Sequence, residues 1–525
     1  MSRLVTVIAG AVLFNLVFWQ EKMGINTVLF DLFILIALLN FYPQARSNNT
    51  VRWLILGHLL CLTMVVVQNT ELSKISLLLT LFLVAGFAEY VHRSAWFAGG
   101  SVILNILLFA ASFVEQIKLP KGRRTKRRLV SRIIRFAFFP LAILFVFFII
   151  YLSANSVFLE MANRAAAKLG NFLAHFFDLF SLDRILFLLL GLFITGSILL
   201  KSRIEYFARK ESRCNDNLQR KKISLRERMK RPFFFFIKNV MGRFSTGNLA
   251  LQHENTTGII SLVLLNILLL IINSIDISYL WFKFDYMGDV FLTKMVHEGA
   301  ELLIVSIVLA MLVLLFFFKG NLNFYKKNKW LKYGAYAWIA QNSILVISVF
   351  LRDFYYIARY GLAYKRIGVL FFLLMVLIGL VTVLLKITFK KTNYFLFRIN
   401  AWAAISILVI ATTINWDAFI ADWNLQRKDK IPLDTAFLLS LSDRTLPALD
   451  KNLEALKKND SLEHSYGERG EYKICDTCVA EQLHDREIAF VKEQENLSWL
   501  SWNYADSYTK EFLRNKGMFP GKLHN

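Results

Sequence analysis

Residues 366–391 read RIGVLFFLLMVLIGLVTVLLKITFKK, an apolar stretch opened by Arg366 and closed by Lys390 and Lys391, with Lys386 as its one internal charge. An α-helix needs about 20 apolar residues to cross the hydrocarbon of a bilayer. The apolar residues here are continuous and do not alternate, which is the pattern of a spanning helix and not of a barrel strand. Working outward from Ile367–Ile387, similar runs occupy Leu4–Trp19, Ile25–Tyr42, Val51–Val67, Leu72–Val91, Ala95–Phe113, Ile133–Leu152, Ile185–Leu200, Gly258–Ile275, Ala300–Phe318, Tyr333–Leu351 and Tyr394–Ile414. The expected fold is therefore all-α: a polytopic integral membrane bundle of about twelve transmembrane helices.

Composition agrees. The chain has 525 residues, is 56% hydrophobic, and holds 48 Phe against 7 Pro, a balance that suits long lipid-facing helices and exceeds what soluble domains carry. The formal charge of +24 does not imply nucleic acid, because Lys and Arg sit in short blocks beside apolar runs and no recognition motif accompanies them. The expected partner is the lipid bilayer. Leu4–Trp19 follows Arg3 but has no small-residue cleavage site, so it reads as a retained helix and not as a signal peptide.

The basic residues set the expected topology. They concentrate in the loops 115–132, 201–256 and 319–332 and at the turn carrying Lys386, Lys390 and Lys391. Two apolar runs separate each of these from the next, so all four share a face, and the positive-inside rule makes that face cytoplasmic. Counting runs places both chain ends outside, whereas Arg3 prefers the inside, so the orientation of the first five runs is left open. The chain divides into N-terminal transmembrane helices (1–114), a transmembrane core with basic loops (115–414), and a helical extracytoplasmic domain (415–525). Within the core, 153–182 has the spacing of an outer amphipathic helix. Past Asn415 the chain turns charged. Helical patterns cover Leu433–Leu456, with a break at Pro447, then Val479–Trp499, then Tyr508–Lys516.

Several segments resemble a family of bacterial integral membrane proteins known as domain of unknown function 4173, close to the 4153 type. They are Leu152-Ser-Ala-Asn-Ser-Val-Phe158, Ser348-Val-Phe-Leu-Arg352, Tyr360-Gly-Leu-Ala-Tyr-Lys-Arg366, Ile420-Ala-Asp-Trp-Asn-Leu425 and the stretch from Leu433 to Leu449. The resemblance covers about 130–455. It implies the same membrane architecture, in the inner membrane of a bacterial cell, and supplies no catalytic residues.

Candidate chemistry is sparse. Cys475-Asp-Thr-Cys478 has the spacing of a disulfide, a redox dithiol or half a zinc site, and on an oxidising outer face the disulfide is the expected use. His464 and His484 flank it at loose zinc-ligand spacing, and a redox role would need a βαβ context that these helical patterns lack. His297-Glu298-Gly-Ala-Glu301 is similar to a zincin motif with its second His replaced by Glu, so a helix start with carboxylates at the positive dipole end is expected instead. Ionisable residues inside apolar runs are costly and face a protein interior or water. These are Asp31, His58 and Glu89, together with Glu298 and Glu301 at one span end and Arg352 and Asp353 at the next, where an interhelical ion pair is expected. With Asn105, Asn266, Gln341, Asn342 and Asn400 they form either a polar path or glue between helices.

Neither a phosphate-binding Walker loop nor a G-x-S-x-G elbow occurs, and Pro140 is the only proline within an apolar run, so broken helices are not expected. No catalytic residue, cofactor or metal is assigned. The function expected is that of a membrane scaffold or sensory, partner-binding protein whose basic loops dock a soluble protein or anionic lipid. A transporter or channel is the alternative, and an intramembrane enzyme has the least support.

Overall fold

The computed structural model describes residues 3–116 (except 91), 182–219 (except 203), 250–281, 299–318, 321–458 and 478–519, with isolated residues between 144 and 161. Among these the regular elements are helical, and the one strand-like pairing is an isolated bridge between Asn217 and Lys391. The fold is all-α, and the chain is a multi-pass membrane protein. Among the described residues six helices are long and apolar enough to cross a membrane, or seven if a bent pair counts as one span, with shorter apolar helices beside them. Twelve straight spans are not all found: the run Ile133–Leu152 and most of the amphipathic segment 153–182 lie outside the described residues.

In chain order the principal helices are α1 (Arg3–Phe18), α2 (Ile25–Phe41), α3 (Asn49–Val67), α4 (Glu71–Glu89), α5 (Ala95–Leu107), α6 (Phe109–Gln116), α7 (Leu182–Leu199) and α8 (Tyr206–Ser212). There follow α9 (Ala250–Asp276), α10 (Gly299–Phe317), α11 (Lys329–Tyr360), α12 (Tyr364–Thr388), α13 (Asn393–Ala411), α14 (Trp416–Leu425), α15 (Thr435–Ser440), α16 (Leu446–Lys451), α17 (Cys478–Asn496) and α18 (Tyr504–Asn515). They form two compact units. One comprises residues 1–211, 409–413 and 488–525, and the other 212–408 and 414–487. The segment 415–525 is thus shared between the two units.

In the first unit, α1 to α4 run up and down with α7 against α1. At one end Arg3 donates to Phe41 O (3.4 Å), the Tyr42 hydroxyl donates to Leu199 O (3.3 Å), and Lys201 donates to Glu89 O (3.0 Å). The amino terminus and the start of the 201–256 loop therefore share one end of this unit. Counting twelve spans had put them on opposite faces. Between these points lie residues 117–181, most of them outside the described residues, and a fifth run that departs from the expected shape. It is not one straight helix: α5 and α6 meet at 66°. No proline causes the break. Asn105 accepts from the backbone N–H of Ser202 (3.0 Å) and donates to Glu89, which holds α5 at the level of the α4 carboxy terminus. Phe109 then turns inward to pack edge-on against Phe193 of α7, at 5.5 Å between ring centres.

At the other end the tail is stitched to the α1–α2 turn. Ser501 and the Ser498 N–H donate to Glu21, the Lys22 N–H donates to Ser501 Oγ (2.8 Å), and the Ile25 N–H donates to Trp502 O (3.0 Å). Gly24 makes this approach feasible, since a Cβ there would lie 2.5 Å from the Ser501 carbonyl. Gln68, after α3, donates to Thr413 O (2.7 Å) at the same end.

The second unit packs α9, α10, α11 and α12 around a core of Leu262, Ile307, Leu314, Leu345, Val349 and Leu380. Polar side chains join the helices where apolar packing alone would leave rotation free. Asn266 bridges to Gly334 O (3.0 Å) and accepts from Gln341 (2.8 Å), Asn273 donates to Gln341 O (3.0 Å), and Asn400 donates to Thr382 (3.0 Å). Buried Lys386 donates to Phe318 O (2.7 Å), which satisfies one of the open carbonyls that follow α10. The outward faces carry large apolar side chains, such as Leu264 and Leu302 at 63% and 71% exposure, as lipid contact requires.

In a background without native cysteines, Gln44→Cys and Arg209→Cys should react with an impermeant maleimide from one side of the membrane. Glu71→Cys and Asn496→Cys should react only from the other. Labelling of Gln44→Cys and Glu71→Cys from the same side would show that α3 does not cross.

Candidate functional site

The site is built at a glycine. α11 ends at Gly361, whose φ of 79° is left-handed and whose N–H donates to Ile357 O (2.9 Å). A side chain there would meet Asn424 Oδ1 at 2.6 Å. That closeness lets Asn424 of α14 close a two-bond clasp on the following residue: it accepts from the Leu362 N–H (2.7 Å) and donates to Leu362 O (2.9 Å). α12 starts two residues later, at Tyr364. The turn between α11 and α12 is thus held against the segment 424–437.

A cavity of about 560 Å³ opens at this junction. Its walls include Tyr356, Tyr360, Tyr364 and Phe437, with Val369 and Leu433 below. The Tyr356 and Tyr360 rings are 4.6 Å apart between centres, and Tyr364 meets Phe437 edge-on at 6.4 Å. Arg366 lies on the wall with its guanidinium 4.6 Å from the Tyr356 ring centre, donating to Tyr360 O (2.9 Å) and to Gly361 O. Asp434 caps α15 by accepting from the Phe437 N–H (2.9 Å). The remaining charged wall residue of note is Asp353. It is 5% exposed, and its Oδ2 has no hydrogen-bond partner among the described residues. A buried carboxyl oxygen without a donor carries a desolvation cost.

Sequence reasoning singled out both Arg352 and Asp353, and the structure separates their roles. Arg352 is paired with Asp276, at 2.5 Å, with both side chains less than one-tenth exposed. The expected ion pair at this level therefore exists, but its acid comes from the end of α9 and not from the Glu298–Glu301 stretch. Glu298 lies outside the described residues, as does the side chain of Glu301. Tyr356, Tyr360, Arg366 and Asn424 were not identified as site residues. The available signal was the aromatic spacing on one side of α11 together with a Gly just after it.

In the first unit, Asp31, His58 and Thr80 meet although they come from three helices. His58 Nε2 is 2.8 Å from Asp31 Oδ2, and His58 Nδ1 is 2.9 Å from Thr80 Oγ1. The three side chains are 2%, 0% and 1% exposed. Thr80 also donates to Ser76 O and Leu77 O. Both nitrogens of the ring are occupied, so the cluster clamps α2, α3 and α4 together. Glu89 does not join it. Glu89 bonds to Asn105, and nearby His92 joins Glu211 (2.5 Å) to Ser101 (2.8 Å), tying 201–211 to the α4–α5 turn. Cys475 lies outside the described residues. Cys478 opens α17, and its side chain is likewise not described. Among the described residues no group of three or more His, Cys, Asp or Glu side chains gathers closely enough to hold a metal ion.

Removing one member of the Asp31–His58 pair leaves the other buried without its partner. His58→Leu alone and Asp31→Leu alone should each destabilise the detergent-solubilised protein by about 3 kcal/mol, with the double substitution recovering most of the loss. Thermal unfolding of the three variants measures this. Additive losses would mean that the two residues do not act as a pair.

The sequence profile of a family described as domain of unknown function (DUF4153) matches residues 8–452. The type is 4153, not the neighbouring 4173 to which the quoted segments were compared, and the match extends over the N-terminal helices that those segments left out. No curated protein and no solved structure matches the chain.

Proposed function

We propose that this chain, which belongs to the family of domain of unknown function DUF4153, is a membrane receptor. Its cavity between α11, α12 and the segment 424–437 would take up a small solute. Its basic loops would dock a soluble protein or anionic lipid on the opposite face. The observation that carries this reading is the cavity itself. It sits where the ends of two membrane helices meet an extramembrane segment, and it has the size and the mixed aromatic and charged walls of small-molecule sites.

Sidedness supports a sensory role. α11 begins among Lys326, Lys327, Lys329 and Lys332, and α12 ends at Lys386, with Lys390 and Lys391 beyond it. The segment Asp216–Asn217, which leads into the basic stretch from Arg220 to Arg243, attaches to that same end through Lys391 and Arg398. The cavity is at the other end of both helices. By the positive-inside rule it faces away from the cytoplasm, which in a bacterial inner membrane is the periplasmic side. The segment 414–451 lies beside it on that face.

A transporter or channel is the second reading, and the Asp31–His58–Thr80 cluster favours it, because ionisable residues within a membrane often mark an ion path. Against it, both His58 nitrogens are engaged by protein groups.

The receptor reading is tested with the purified full chain and a library of small charged and neutral metabolites. Val369→Trp places an indole in the cavity. A ligand at a hundred times its Kd should stabilise the wild type by about 2.7 kcal/mol, read as a raised Tm. The rise should vanish in Val369→Trp. A ligand effect that is indifferent to Val369→Trp, or no effect from any member, would overturn the assignment.

A further inference from the structure

We infer that the cavity at the α11–α12 turn takes a small organic molecule bearing a primary ammonium group, with Asp353 as its counter-ion. This deepens the receptor reading and rests on it. Asp353 is a lining residue of the cavity, and its buried Oδ2 has no hydrogen-bond partner among the described residues. Neighbouring cations attract it through space, as Arg366 does, but place their hydrogen bonds elsewhere. Arg352 is committed to Asp276, and Arg366 donates to the Tyr360 and Gly361 carbonyls while its guanidinium lies against Tyr356. Lys365 is exposed at the rim. The walls are rings, and the faces of Tyr side chains attract cations through their quadrupole. Tyr360, Tyr364 and Phe437 supply such rings to the cavity that Asp353 lines.

An anionic ligand would fit less well. It would have to lie beside the Asp353 charge in a partly desolvated space, where like charges repel most strongly. A quaternary ammonium would meet the rings but has no N–H to donate, so the bare Oδ2 discriminates against it. A primary amine satisfies both the ring faces and the oxygen. The volume of about 560 Å³ leaves room for an organic body of modest size behind the nitrogen.

The probes are butylamine, tetramethylammonium and butyrate, titrated into the detergent-solubilised full chain, with the wild type, Asp353→Asn and Val369→Trp compared by calorimetry and by Tm. Butylamine should bind at least tenfold more tightly than the other two, and Asp353→Asn should weaken it by tenfold or more, since charge-assisted hydrogen bonds are among the stronger ones. Without ligand, Asp353→Asn should hold or raise the Tm, because it removes a carboxyl whose burial outweighs the attraction of Arg366. A structural role for Asp353 would lower it. Tighter binding of butyrate, or amine binding unaffected by Asp353→Asn, overturns the ligand class. In that event a library ligand still blocked by Val369→Trp would leave the receptor reading standing. If no probe and no library member binds, both fall.

Discussion

A polar group inside a lipid-embedded bundle must find its partner on another helix, because the surrounding hydrocarbon supplies none. Packing in this protein follows from that constraint. Apolar contact alone does little to choose between helix rotations when lipid tails are as apolar as leucine. Polar side chains break the tie. Asp31 with His58 and Thr80 sets α2, α3 and α4 against one another. Asn266 with Gln341, and Asp276 with Arg352, set α9 against α11. Asn105, held by Glu89 and Ser202, bends the fifth run at a place where no proline stands.

Against that background Asp353 is the departure. It is as buried as the paired residues, yet it lines a cavity and its Oδ2 has no hydrogen-bond partner among the described residues. The neighbouring guanidiniums, which would ordinarily neutralise it, are held by Asp276 in one case and by two backbone carbonyls and a ring in the other. The site depends on the left-handed Gly361, which brings Asn424 close enough to clasp the turn between α11 and α12. Beyond the cavity, Arg486 of α17 ties down the segment after α15 by donating to Leu439 O and Leu441 O and pairing with Asp443.

The tail of the chain is part of the first unit and not an appendage. Glu21, Lys22 and Ile25 bind residues 498–502 by backbone and side-chain hydrogen bonds across almost the whole length of the sequence. The exposed aromatics beside this seam, Trp499 at 67% and Tyr504 at 59%, suit the headgroup level of a bilayer. The same unit carries Arg3 and Lys201 at its opposite end, each over a Tyr ring, at 5.1 Å from that of Tyr42 and 4.0 Å from that of Tyr90.

Hydropathy alone determined that this is an all-helical, multi-pass membrane protein, since a continuous apolar run of spanning length has few ways to satisfy its backbone other than as a helix. It also marked Asp31, His58, Arg352 and Asp353 as unusual, because a charge in such a run is costly wherever the run ends up. Partners were not legible: that His58 meets Asp31, or that Arg352 takes Asp276 and so leaves Asp353 to the cavity, depends on helix rotation and register. The break at Leu108 and the clasp of Asn424 on Leu362 escaped for the same reason, having no local composition signal. Periodicity reports which residues can lie in lipid. Only the packed bundle decides which polar atoms find one another and which are left without a partner.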